Sequence, residues 1–151
     1  MSQPLDWSTY DETNGTSPTY EQRYFTGTAY SPRLTPSLAF LCVGGEGPGF
    51  TATVLSTSAH CTGDMVELAR RYARAGVEVV MFALEHRYYG LSLPAGDPVA
   101  EGYLDHLSSD YALRDAEAFI GRMNEVYPTI KSWTTFGGSY PGMMSSWVRL
   151  R

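Results

Sequence analysis

Two short and nearly uninterrupted apolar runs mark the chain: residues 37–43, between Pro36 and Gly44, and residues 77–83, directly after Gly76. Runs of this length without a regular polar alternation suit strands covered on both faces, as in a parallel sheet. Between them Met65, Leu68, Ala69 and Tyr72 recur at i, i+3, i+4 and i+7, which predicts a helix with Asp64 as N-cap and Gly76 as its stop. A second helix follows, capped near Ser108 or Ser109, with Leu113, Ala116, Ile120, Met123 and Tyr127 on one face and Pro128 ending it. Residues 132–136 read as a third strand. Ser139 opens a third helix, with Met143, Met144, Trp147 and Leu150 as its apolar positions.

The first part of the chain has a different texture. Residues 1–19 are rich in Ser, Thr, Asp, Gly and Pro without a sustained period and predict an extended surface segment. Residues 20–30 place Tyr24, Phe25 and Tyr30 among polar neighbours, as in an edge strand or hairpin arm. The long connection 85–107 carries Gly90, Pro94, Gly96, Pro98 and Gly102. Strand and helix then alternate three times, which predicts an α/β fold with a parallel sheet and flanking helices in residues 20–151. The last strand would lie at an exposed sheet edge.

Composition narrows the function classes. The 151 residues are 43% hydrophobic and 18% charged, the balance of one globular domain or part of one. A formal net charge of -5, with the 11 basic residues scattered singly or in pairs, argues against a nucleic-acid surface. No apolar run approaches the ~20 residues of a membrane span, and the polar first 30 residues show no signal peptide. Cys42 and Cys61 have no metal-ligand spacing and are too few for a disulfide framework; they read as two buried thiols, or as a single bridge if the fold is exported. Asn14-Gly15-Thr16 is a glycosylation sequon, meaningful only in a secretory compartment. Neither a metal nor another cofactor is expected.

Three loops carry the chemistry. Phe136-Gly137-Gly138-Ser139-Tyr140-Pro141-Gly142 has the strand-turn-helix setting of a nucleophile elbow, in which a tight turn holds a serine hydroxyl clear of the sheet. Ser139 is the candidate nucleophile, and the N–H of Tyr140 at the helix start would face a developing oxyanion. The usual Gly-x-Ser-x-Gly is altered, because Pro141 stands two residues after the serine and the glycine, Gly142, comes one later. Gly44-Gly45-Glu46-Gly47-Pro48-Gly49 follows the first apolar strand, where such folds place the second oxyanion donor, here Gly45 or Glu46. A plain turn is the alternative; a phosphate loop is disfavoured because the Lys-Ser/Thr of a P-loop is missing. Glu85-His86-Arg87-Tyr88-Tyr89-Gly90 follows the second apolar strand on the same sheet edge, where its histidine and arginine either contact substrate or brace the site loops through hydrogen bonds and ion pairs; bracing is the favoured reading. A triad of this architecture takes its acid and histidine after the serine, so His60, His86 and His106 are poor candidates for the base.

Together these motifs resemble the proline-specific serine exopeptidases, the family of lysosomal Pro-Xaa carboxypeptidase, dipeptidyl peptidase II and thymus-specific serine protease. The resemblance rests on Gln3-Pro4-Leu5-Asp6 and Gln22-Arg23-Tyr24-Phe25, on Gly45-Glu46-Gly47, on residues 85–90 with Ser92-Leu93-Pro94, and on the turn at Ser139. It implies the N-terminal half of an α/β-hydrolase-like catalytic domain, a peptide substrate cleaved next to proline and a secreted, lysosomal or vacuolar setting. That setting would give the sequon and a Cys42–Cys61 bridge a context. Because family members continue for a few hundred residues to their Asp and His, the resemblance also implies a truncated chain, nearly inactive alone. The competing expectations are a non-catalytic, peptide- or partner-binding chain of the same fold and, less favoured, a general esterase.

Overall fold

In the computed structural model, residues 1–11, 13, 17–58 and 61–151 are described. The sequon residue Asn14 and His60 lie outside them. A four-stranded sheet forms the centre, in the order β3 (Tyr24–Tyr30), β5 (Val79–Leu84), β4 (Leu38–Val43), β6 (Ser132–Phe136). The strands β4, β5 and β6 run parallel, with Leu38 opposite both Val79 and Ser132. Instead of being purely parallel, the sheet is mixed, because β3 joins the outer edge of β5 in the antiparallel sense. The short connection 31–37 cannot make the crossover of a dozen or more residues that a parallel neighbour requires.

Both apolar runs bury both faces, and the alternation of side chains across each strand separates two cores. Ala39, Leu41, Val43, Val80, Phe82 and Leu84 face α2 (Ser109–Val126) and α3 (Tyr140–Leu150), meeting Ala112, Ala116, Phe119, Met123 and Met144. Phe40, Cys42, Val79, Met81 and Ala83 face α1 (Asp64–Arg74), meeting Val54, Met65 and Ala69. On this second face Cys42 is bridged to Cys61, so the two cysteines are a disulfide and not two free thiols.

Local differences from the sequence pattern have physical causes. The N-cap of α1 is Gly63, at φ 72°, and Asp64 instead begins the helix, where its charge favours the positive end of the dipole. Strand β5 starts at Val79, and the residue before it, Glu78, is buried with its carboxylate accepting from Ser31 Oγ (2.8 Å), Arg33 Nε (2.5 Å) and Thr35 N–H (3.1 Å). Burial raises the Glu78 pKa, but Arg33, Ser31 and the backbone donors outweigh it and hold the group at about 2. Ser108 caps α2 by accepting from Tyr111 N–H at 3.2 Å.

The first residues are not a plain surface segment. Strand β1 (Ser2–Pro4) pairs antiparallel with β2 (Thr19–Glu21), and Gln3 is buried between Gln22 and the Asp115 carbonyl. On α3 only Met144 is buried, leaving Met143, Trp147 and Leu150 exposed. Among the described residues no helix is long and apolar enough to cross a membrane.

Candidate active site

Because β4, β5 and β6 are parallel, the loops leaving their C-terminal ends emerge on one edge of the sheet, the usual ligand edge of such folds. Loops 44–50 and 137–142 line a cleft of about 330 Å³, with Gly45, Glu46, Phe50, Ser139 and Pro141 in its wall. One glycine lets the two loops approach, and another lets the second loop close on itself. A Cβ on Gly45 would run into the ring of Pro141, and a Cβ on Gly137 would run into the Pro141 carbonyl. Gly142 lies against Gly137 in turn, where a Cβ would meet the Gly137 oxygen at 3.1 Å. The glycine displaced by Pro141 in the sequence motif thus packs against the first glycine of the turn.

Ser139 has φ 57° and ψ -129°, a backbone conformation that costs a non-glycine residue about 1–2 kcal/mol. It is the N-cap of α3, yet its side chain makes no capping bond, whereas Ser108 at the same position of α2 does. Capping is what a serine at that position ordinarily does. The turn instead leaves Ser139 exposed in the cleft wall. Its carbonyl accepts from the N–H groups of Gly142 (3.0 Å) and Met143 (3.2 Å), and Pro141 has no N–H.

Loop 85–92 stands behind the cleft. Buried Glu85 accepts from Phe50 N–H (2.9 Å), Leu91 N–H (2.9 Å) and Ser92 Oγ (2.8 Å), joining the loops after β4 and β5 through one carboxylate. His86 Nδ1 lies 2.7 Å from the Arg87 carbonyl and Nε2 lies 3.0 Å from Tyr140 Oη, so both ring nitrogens are engaged. Burial pushes the His86 pKa below 6.5, partly opposed by the bond to Arg87 and the charge of Asp115. Tyr88 is buried, at φ 67°, with its ring edge-on to Tyr103.

Arg87 is fully buried and pairs with Asp115 of α2 through Nε (2.8 Å) and Nη2 (2.7 Å). Its remaining donors reach the carbonyls of Pro4, Leu5 and His106. Asp115 also accepts from Trp7 Nε1 and Tyr20 Oη, both at 2.7 Å. Burial lowers the Arg87 pKa, but the Asp115 pair outweighs it and leaves the group above its ordinary value. Asp115 had no place in the motifs. The available signal was a carboxylate on the apolar face of α2, three residues after Ala112 and four before Phe119. Among the described residues no group of three or more His, Cys, Asp or Glu could hold a metal ion.

The family model of serine carboxypeptidase S28 matches residues 3–151. The chain belongs to this family of serine peptidases. A putative serine protease of Caenorhabditis elegans is 36% identical over 135 residues, covering 88% of this chain and 24% of that protein. Mouse thymus-specific serine protease is 32% identical over 155 residues, covering 100% of this chain and 27% of that protein. Human lysosomal Pro-X carboxypeptidase is 30% identical over 137 residues, 88% and 25% respectively. The S28 chain therefore spans about a quarter of the length of these curated relatives.

Proposed function

We propose that the chain carries the nucleophile side of an α/β-hydrolase-like serine exopeptidase, a carboxypeptidase or dipeptidyl peptidase that cleaves peptides next to proline. The observation that carries this reading is Ser139, which occupies an N-cap position in a strained conformation without capping its helix. Its Oγ attacks the scissile carbonyl and gives its proton to a general base, which passes it to the leaving amine; water then hydrolyses the acyl-enzyme. The developing oxyanion takes the Tyr140 N–H, the first-turn donor left after Gly142 and Met143 turn to the Ser139 carbonyl, and a second N–H from Gly45 or Glu46.

The base belongs to the part of the family's length that this chain does not span. His86 is engaged at both nitrogens, His106 lies stacked on Tyr111, and His60, like the other two, precedes Ser139 in the chain, against the order of an α/β-hydrolase triad. The 151-residue chain alone is accordingly expected to turn over no peptide. The names of the lysosomal relatives favour a lysosomal or secreted setting, which also suits the Cys42–Cys61 bridge. The test compares the product of the full reading frame with Ser139→Ala on proline-containing peptides and on simple acyl esters. Loss of prolyl-peptide cleavage in the variant supports the reading, and ester turnover without peptide turnover favours a general esterase. A second, non-catalytic reading draws on the exposed Met143, Trp147 and Leu150 of α3. Peptide binding without turnover by the unaltered protein would favour it.

A further inference from the structure

We infer that His86 is a positioning residue for the Ser139 turn, acting through the phenol of Tyr140. The inference rests on the peptidase reading only where the consequence is catalytic. A carbonyl oxygen only accepts, so the 2.7 Å contact with the Arg87 carbonyl places the neutral ring's proton on Nδ1. Nε2 is then an acceptor, and the Tyr140 O–H donates to it at 3.0 Å. The Tyr140 oxygen in turn accepts from Ser109 Oγ at 3.2 Å. A directed chain thus runs from the start of α2, through the first residue of α3, to the loop after β5. The His86 ring lies 5.6 Å from that of Tyr140 and 5.4 Å from that of Tyr89, which limits its rotation.

Tyr140 is the residue after the nucleophile. Its side chain is pinned from two elements, while its backbone begins the helix whose N-cap is the strained Ser139. A turn at positive φ persists only where its surroundings over-determine it. The His86–Tyr140–Ser109 chain holds the turn through Tyr140, whose ring also lies beside Gly45, next to the Gly45–Pro141 contact.

The test uses the product of the full reading frame with His86→Phe, Tyr140→Phe, their double and His86→Gln, whose side-chain oxygen can accept in place of Nε2. Amide hydrogen exchange at Gly142 and Met143, both bonded to the Ser139 carbonyl, reads the turn directly. The rate of fluorophosphonate attachment to Ser139 reads the catalytic consequence. We expect His86→Phe and Tyr140→Phe each to speed exchange and slow attachment about fivefold, the worth of the one His86–Tyr140 hydrogen bond that both remove. The double should be no worse than either single, and His86→Gln should stay within about twofold of wild type. Wild-type values in Tyr140→Phe, or additive losses in the double, overturn the inference. Should His86→Phe not fold, Tyr140→Phe decides, read with nitrogen-15 spectra in which His86 shows the Nδ1–H tautomer and Nε2 shifts when the phenol is removed; an unmoved Nε2 overturns it. No attachment to wild-type Ser139 would defeat the peptidase reading alone, since exchange and tautomer still judge His86.

Discussion

Replacing Asp115 by Asn should destabilise the fold far more than the loss of one formal charge on a surface. The reason lies in how the carboxylate is shared. Oδ1 accepts from Arg87 Nη2 and Trp7 Nε1, and Oδ2 accepts from Arg87 Nε and Tyr20 Oη. Either orientation of the amide turns its NH2 toward an Arg87 N–H. The better orientation faces Tyr20, whose hydroxyl can reverse and accept, but it still loses the Arg87 Nε bond. Arg87 and Asp115 are both fully buried, so the guanidinium is left without its counter-charge. Removing one partner of such a pair costs about 3–5 kcal/mol. Against a domain stability of about 5–15 kcal/mol this is a large fraction. With a urea m-value of about 2 kcal/mol/M, the midpoint should fall by about 2 M. Tryptophan fluorescence would follow the transition. Arg87→Met should then cost less in the Asp115→Asn background than in wild type, by about 2 kcal/mol of coupling. An Asp115→Asn cost below about 1 kcal/mol, or additivity within about 0.5 kcal/mol, would refute the reasoning.

Other consequences follow from the same structure. His86 is buried neutral with a pKa below 6.5, so the unfolded chain binds a proton that the folded one refuses between those values. Stability should be full above pH 6.5 and fall as pH drops toward the folded-state pKa; His86→Gln should flatten that part of the profile in urea titrations from pH 4 to 8. Reducing or removing the Cys42–Cys61 bridge, by Cys61→Ser for example, should cost about 3 kcal/mol, since it closes a loop of 19 residues' separation. A calorimetric loss below about 1 kcal/mol would contradict this. If Ser139 is acylated as proposed, Gly45→Ala should slow that acylation at least tenfold, because the new methyl displaces Pro141, two residues after Ser139 in the same turn. Unchanged acylation with an intact fold would show that the Gly45–Pro141 approach does not matter to the site.

Much of the fold was legible because its sheet core is written in local patterns. The apolar run at 37–43 differs from β4 by one residue, and residues 132–136 coincide with β6. Ser108 capped its helix as its chemistry suggests. What was missed depends on partners distant in sequence. Gln3 looks like a polar terminal residue until Gln22 and the Asp115 carbonyl satisfy its amide N–H groups. The antiparallel sense of β3 follows from the short connection 31–37 to β4, not from its own residues. On α3, Met143 and Trp147 fit the helical period as well as Met144, but the sheet covers only one side of the helix. At the site, the three loops were readable as motifs, whereas the Asp115 anchor beneath Arg87 and the Tyr140 link to His86 appear only when α2 and α3 are packed against the sheet.

The most direct test of the central claim is to treat the product of the full reading frame with a fluorophosphonate and locate the adduct by peptide mass spectrometry. Attack by the serine oxygen on phosphorus with loss of fluoride should leave the adduct on Ser139, stoichiometrically, and Ser139→Ala should take none. An adduct on another residue, or undiminished labelling of Ser139→Ala, would contradict the assignment of Ser139 as nucleophile.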